Sequence, residues 1–264
     1  MSKSLPKQPR DRAQRRQTRR VKGLTPLSSK MEDFARDVHR RDDSPLEAFT
    51  PVQGRYIEAI STNQLTFGIG PAGTGKSFVA TCLAADALMD QRVERIIITR
   101  PVVEAGEELG FLPGELSEKV QPYFAPVRAI LERRLGRGAC EMFMKNGRIE
   151  FMPLAYMRGH TLDNSFIILD EAQNTTPSQM KLFLTRLGEN TRVVVDGDPR
   201  QKDLAGPSGL IDALKRLRGI PSIDVVEFTR KDVVRSGLVQ HIVEAYEEPE
   251  DDDAGLQKML ARSV

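Results

Sequence analysis

Between Pro45 and about Tyr246, short apolar runs alternate with longer stretches in which apolar positions recur at helical spacing. The short runs are Leu65 to Ile69, Arg95 to Thr99, Ile149 to Pro153, Phe166 to Leu169, Arg192 to Val195 and Ile223 to Phe228, and they predict β-strands. The longer stretches predict helices over Lys76 to Met89, Leu116 to Arg134, Ser178 to Leu187, Gly209 to Leu217 and Gly237 to Tyr246. Strands that are apolar throughout belong in a sheet covered on both faces, and their alternation with helices predicts an α/β fold built on a mostly parallel, doubly wound sheet. Neither an internal repeat nor a Ser/Gly linker divides this region. One folded domain over residues 45–247 is expected, with a tail at 1–44 and another at 248–264.

Charge distinguishes those tails. The 264 residues carry a formal net charge of only +2, yet residues 1–22 hold nine Lys or Arg against one acid, Asp11, a local charge of +8. The remainder must then carry −6, part of it in the run Glu247-Glu248-Pro249-Glu250-Asp251-Asp252-Asp253. With no aromatic residue before Phe34, the basic tail has little apolar surface to bury and is expected to be disordered. Such a tail suits a nucleic-acid backbone through counterion release, or serves solubility or contact with the acidic end. Two cysteines, Cys82 and Cys140, are too few for a disulfide framework and point to a reducing compartment. The N-terminus lacks the apolar segment of a secretion signal, and later apolar runs fall far short of the roughly 18 residues a membrane span needs. A cytoplasmic setting is expected.

The first chemical motif is Leu65 to Ser77, LTFGIGPAGTGKS, an apolar strand leading into Gly70-Pro71-Ala72-Gly73-Thr74-Gly75-Lys76-Ser77 and then a helical run. This is a P-loop in its required strand-to-helix context. Successive backbone N–H groups must approach a phosphate chain closely, and side chains at Gly73 and Gly75 would obstruct them. The helix N-terminus adds its positive end. Lys76 is placed to reach β- and γ-phosphates, and the Ser77 hydroxyl to ligate Mg²⁺. The second motif is Phe166-Ile167-Ile168-Leu169-Asp170-Glu171, a buried strand ending in two carboxylates. Asp170 is the candidate second contact to Mg²⁺, and Glu171 the candidate general base that polarises the attacking water.

Absences and further segments narrow the subclass. Neither an Asn-Lys-x-Asp guanine reader nor a Leu-Ser-Gly-Gly-Gln signature occurs, which disfavours a GTPase and an ABC transporter subunit. Gln53, in Thr50-Pro51-Val52-Gln53, is a candidate adenine contact, or a solvated residue near a helix start. Asp198 and Gln201, after the strand Val193-Val194-Val195, are candidates to sense the γ-phosphate or its water, or members of a tight turn.

These segments together resemble the PhoH-like, phosphate-starvation-inducible ATPases, a family related in motif layout to superfamily 1 helicase motors. The resemblance also includes Thr99-Arg100-Pro101-Val102-Val103-Glu104-Ala105-Gly106-Glu107-Glu108-Leu109-Gly110-Phe111-Leu112-Pro113-Gly114, Tyr156 to Leu162, Asp170-Glu171-Ala172-Gln173-Asn174, Asp196 to Gln201 and Asp232-Val233-Val234-Arg235. It implies a RecA-like P-loop domain that binds and hydrolyses ATP with Mg²⁺ and associates with RNA. Three positions depart from the family pattern: Ser77 replaces the usual Thr, His160 the common Arg, and Ser236 the common His. The chain has no room for the nuclease-like PIN domain of some relatives, so nuclease activity is not expected.

A helicase of this motif type closes two lobes around one ATP, whereas one lobe is expected here. The resemblance therefore implies a homo-oligomer, with a hexameric ring as one form, in which another copy supplies an arginine; Arg235 is the first candidate and Arg230 the second. Arg100 is a candidate contact to RNA phosphate or nucleotide, or the partner of a nearby Glu. The stretch Glu104 to Gly114 looks like a functional loop facing nucleic acid or a neighbouring subunit. Two functions share these residues: an RNA-coupled ATPase, and a nucleotide-dependent assembly switch with slow turnover and no strand separation. A small-molecule kinase is disfavoured, because Glu171 suits activation of water and no arginine-rich acceptor lid is found.

Overall fold

The computed structural model describes residues 41–101, 116–157 and 162–234. The helix expected over 237–246, the loop 104–114, His160, Arg235, residues 1–40 and the acidic tail lie outside the described residues. The elements in chain order are α1 (Pro51–Thr62), β1 (Leu65–Ile69), α2 (Lys76–Met89), β2 (Arg95–Arg100), α3 (Leu116–Leu135) and α4 (Arg137–Lys145). After them come β3 (Ile149–Pro153), β4 (Ser165–Leu169), α5 (Pro177–Leu184), β5 (Arg192–Gly197), α6 (Gly209–Leu217) and β6 (Ile223–Glu227). The six strands form one parallel sheet in the order β3-β2-β4-β5-β1-β6.

The alternation of side chains along each strand separates two apolar layers. Ile96, Ile98, Phe166, Ile168 and Val194 face α1 to α4, where Tyr56, Ala80, Ala84, Leu131 and Phe143 complete the packing. Phe67, Ile97, Ile167, Leu169, Val193 and Val195 face α5 and α6, meeting Met180, Phe183, Leu210 and Leu214. This is the doubly wound plan that the apolar strands predict. Small residues on α2, Ala80, Ala84 and Ala85, are fully buried and allow that helix to lie close over the sheet. Cys82 and Cys140 are buried free thiols, and burial pushes each up to about 11, so both serve as packing groups. Among the described residues no helix is long and apolar enough to cross a membrane.

The differences from expectation are local. Helix α4 is not foreseen, because two glycines near its start, Gly136 and Gly138, blur a nine-residue pattern whose buried positions are Cys140 and Phe143. Helix α5 stops at Leu184, three residues early, because Leu187 is committed to a bridge with Leu162. It starts at Pro177 behind a capping box in which Thr176 and Gln179 exchange bonds. Strands β2 and β5 run to Arg100 and Gly197, past the predicted Thr99 and Val195. Their extra residues stand at the C-terminal edge of the sheet, the edge where ligand crevices form in this architecture.

Candidate functional site

Strand β1 delivers the chain into the P-loop at Gly70, whose φ of +142° and contact with Phe228 both exclude a side chain. A Cβ there would stand 2.8 Å from Phe228 Cβ. Gly73 and Gly75 also take positive φ, and Gly75 is the left-handed residue capping α2. Thr74 Oγ1 donates to the Pro71 carbonyl at 3.0 Å and closes the loop on itself. Lys76 Nζ donates to the carbonyls of Gly70 and Pro71, both at 2.7 Å, and to Thr74 Oγ1 at 3.2 Å. Burial pulls this ammonium below its ordinary value, while Asp196, Asp198, Asp170 and Glu171 push it back up.

Gln53 lies buried behind this loop. Its side-chain carbonyl accepts from Phe49 N–H at 2.7 Å, and its amide donates to the Thr74 carbonyl at 2.9 Å. The residue ties the segment before α1 to the P-loop, with one N–H and one lone pair still to spare on the amide.

Ser77 Oγ donates to Asp170 Oδ1 at 3.0 Å, linking the start of α2 to the end of β4 across the intervening β5. Burial raises the Asp170 carboxyl above its ordinary value, the neighbouring Glu171 adds to this, and Arg100 and the Ser77 bond oppose it. A hydroxyl and a buried carboxylate side by side are hard oxygen donors of the kind Mg²⁺ takes. Among the described residues no cluster of three or more His, Cys, Asp or Glu side chains is suited to a metal, so a cation here would need further oxygens from a phosphate or water.

Glu171 follows in a left-handed conformation, φ 54° and ψ 39°, unusual for a residue with a side chain. Its Oε1 meets Arg100 Nη2 at 3.0 Å, and its Oε2 accepts from Gln173 Nε2 at 2.5 Å. Gln173 in turn accepts from Asp198 N–H through Oε1 at 3.0 Å, and its carbonyl receives Ser208 Oγ at 3.1 Å. Asn174 exchanges bonds with Asp203, at 3.2 Å from its amide and 2.8 Å to its oxygen. Asp198 Oδ1 accepts from Arg200 N–H at 3.0 Å, and Gln201 N–H returns to the Asp198 carbonyl at 3.0 Å. Asp198 therefore shapes a tight turn and also faces the site.

These groups enclose a cavity of about 250 Å³ lined by Ala72, Gly73, Gly75, Lys76, Ser77, Phe78, Asp170, Glu171, Gly197, Asp198 and Gln201. Nine of the residues singled out in the sequence are among its walls. Gly70, Pro71 and Thr74 instead hold the loop and Lys76, and Gln53 supports it from behind. Arg235 lies outside the described residues, while Val234 just before it donates its N–H to the Gly73 carbonyl at 2.9 Å. Arg230 stands in a single turn of 3-10 helix after β6.

Two features escape sequence reading. Gln173, inside the quoted Asp170 to Asn174 segment, is the brace between Glu171 and Asp198; an amide two residues after a pair of acids is its signal in the sequence. Beneath the P-loop, Tyr56 Oη donates to Asp196 Oδ1 at 2.5 Å in a fully buried pair. Gly68 makes room for it, since a Cβ there would stand 2.7 Å from Tyr56 Oη. Burial pushes the Asp196 carboxyl up to about 7, against the lowering effect of the Tyr56 bond.

A family model described as PhoH-like protein matches residues 45–247. A PhoH-like protein of Bacillus subtilis is 52% identical over 74% of this chain and 62% of its own length. Protein PhoH of Escherichia coli is 49% identical over 81% of this chain and 61% of its own length, and a PhoH-like protein of Mycobacterium tuberculosis 48% over 89% and 67%. The chain thus spans about two thirds of the length of these relatives. Among solved structures, the large terminase of a thermophilic bacteriophage is similar at a TM-score of 0.49, with 13% identity over 77% of this chain and 51% of that one.

Proposed function

Since the chain belongs to the PhoH-like protein family, we propose that it is a Mg²⁺-dependent ATPase whose turnover is coupled to single-stranded RNA and which works as a homo-oligomer, a hexameric ring being the expected form. The observation that carries this reading is the single cavity walled by Lys76, Ser77, Asp170 and Glu171. Gly73 and Gly75 expose the loop backbone to a phosphate chain, and Lys76 exchanges the carbonyls of Gly70 and Pro71 for phosphate oxygens. Ser77 and Asp170 hold Mg²⁺, which neutralises phosphate charge when bound. Glu171 orients water and accepts its proton, and Asp198 and Gln201 stand at the γ-phosphate side.

A neighbouring cavity supports a position for the base. Phe78 also lines a second cavity, of about 290 Å³, whose walls mix apolar Leu46, Phe49 and Ile130 with polar Asp42, Ser44 and Arg134, so a nucleoside leaving the phosphate site along Phe78 would meet both an apolar surface and hydrogen-bonding groups. The +8 tail supplies the electrostatic attraction to RNA, and Arg235 of a neighbouring copy, or else Arg230, completes the charge neutralisation.

The test is steady-state ATP hydrolysis with and without single-stranded RNA. Glu171→Gln is expected to lower turnover by at least about 100-fold while leaving ATP bound. Removal of residues 1–22 is expected to weaken RNA stimulation in a salt-dependent way. Slow hydrolysis indifferent to RNA would favour the assembly switch. A folded protein that neither binds nor hydrolyses ATP refutes the reading.

A further inference from the structure

We propose that Arg100 is a latch on Glu171, released when a phosphodiester backbone takes its guanidinium. The inference rests on the reading of Glu171 as the residue that activates water. In the structure both oxygens of that carboxylate are engaged, Oε1 by Arg100 and Oε2 by Gln173. The two partners differ in kind. Gln173 is buried and fixed by Asp198 N–H and Ser208 Oγ, so it moves only with the turn it braces. Arg100 is the last residue of β2 at the crevice edge, with its side chain 29% exposed against 35% for Glu171. Among the described residues its second contact is a bond from Nη1 to the Tyr123 carbonyl of α3 at 3.2 Å.

An ion pair this open to water is weak and readily exchanged. A guanidinium fork that meets, among the described residues, one carboxylate oxygen and one carbonyl gains by turning to a phosphate, which takes two parallel N–H bonds. The exchange leaves Glu171 Oε1 without its cation, while Gln173 and the left-handed backbone keep the carboxylate aimed at the cavity. A polyanion that binds the released arrangement more tightly than the paired one must shift the equilibrium towards it, and hydrolysis is thereby tied to occupancy.

The test uses the full chain and compares wild type, Arg100→Gln, Arg100→Lys and Glu171→Gln with and without polyuridylate at fixed salt. Arg100→Gln is expected to turn over without RNA within about twofold of the RNA-saturated wild type, at unchanged KM for ATP, and to gain less than about twofold more from RNA. Its affinity for labelled polyuridylate should fall. Arg100→Lys keeps the charge without the fork and should retain part of the stimulation. A second readout needs no turnover: without nucleotide, the melting shifts of Arg100→Gln and Glu171→Gln should be non-additive in the double variant.

Arg100→Gln that is no faster than wild type, or is still stimulated in full, overturns the latch, as do additive melting shifts. A wild type that RNA does not accelerate overturns the proposed trigger and the proposal with it. Glu171→Gln at the wild-type rate overturns instead the reading of Glu171 on which the latch depends, so the two failures are distinguishable.

Discussion

Replacing Asp196 with asparagine removes a carboxyl that is fully buried beneath the P-loop, with Oδ1 held by Tyr56 and Oδ2 without a hydrogen-bond partner. Burial disfavours its charged form and raises its pKa from 3.8 to about 7, an effect the Tyr56 hydrogen bond partly offsets. The unfolded chain releases this proton near 3.8, while the folded protein keeps it until about 7. Across that window the folded state binds more protons, so this group makes stability fall as pH rises, with no further change above about 7. At 1.36 kcal/mol per pH unit, the span amounts to about 4 kcal/mol. An asparagine side chain does not titrate, and every other carboxyl is common to both proteins. Urea unfolding followed by far-UV circular dichroism at pH values from about 4 to 8 should therefore show wild type losing about 4 kcal/mol relative to Asp196→Asn over that range. Tyr56→Phe, which removes the bond favouring the ionised form, should carry the decline to higher pH. Parallel stability profiles for wild type and Asp196→Asn would refute the assignment of a buried, proton-holding carboxyl.

Two further perturbations test the framework. Arg134→Ala removes a side chain only 10% exposed whose Nε and Nη2 both bind Asp86 at 2.8 Å and whose Nη1 reaches the Ser44 carbonyl; a loss of about 3 kcal/mol in chemical denaturation is expected. A loss below about 1 kcal/mol would mean that the pair is solvated and contributes little. Gly70→Ala forces a Cβ against Phe228 at positive φ and should reduce both nucleotide affinity by calorimetry and stability by about 2 kcal/mol, whereas unchanged affinity would contradict the tight closure between Gly70 and Phe228.

The strands and the P-loop are legible in the sequence for a physical reason. A parallel strand buried on both faces must be apolar at every position, as Phe166 to Leu169 is, and a phosphate loop needs glycine where the backbone turns left-handed, as at Gly73 and Gly75. What links the motifs is not legible. Gln173 reads as one more polar residue until the end of β5 is seen to place Asp198 N–H against it. Tyr56 and Asp196 are 140 positions apart, and they meet only because α1 packs on the sheet where the pairing of β1 with β5 sets Gly68 beside Asp196. Arg100 has two readings from sequence, and the geometry places it on Glu171.

These links bear on how the site responds to a ligand. Lys76 is bonded to the carbonyls of Gly70 and Pro71, Ser77 to Asp170, and Glu171 to Arg100 and Gln173. Lys76, Ser77, Asp170 and Glu171 thus already have partners among the chain's own groups, which reduces the penalty of leaving buried polar atoms unpaired. The same pairing means that a ligand reaches these side chains by exchange: each phosphate or cation contact to Lys76, Ser77 or Asp170 replaces an internal one, and only the surplus over what is given up contributes to affinity. The exchange at Lys76 and Ser77 takes place within the P-loop cavity. The exchange at Arg100 does not, because its guanidinium lies at the end of β2 and is tethered to α3 through Tyr123. Occupying the phosphate site therefore satisfies Lys76 and Ser77 without freeing Glu171, and this separates the residues that should govern ATP affinity from the one that should govern turnover.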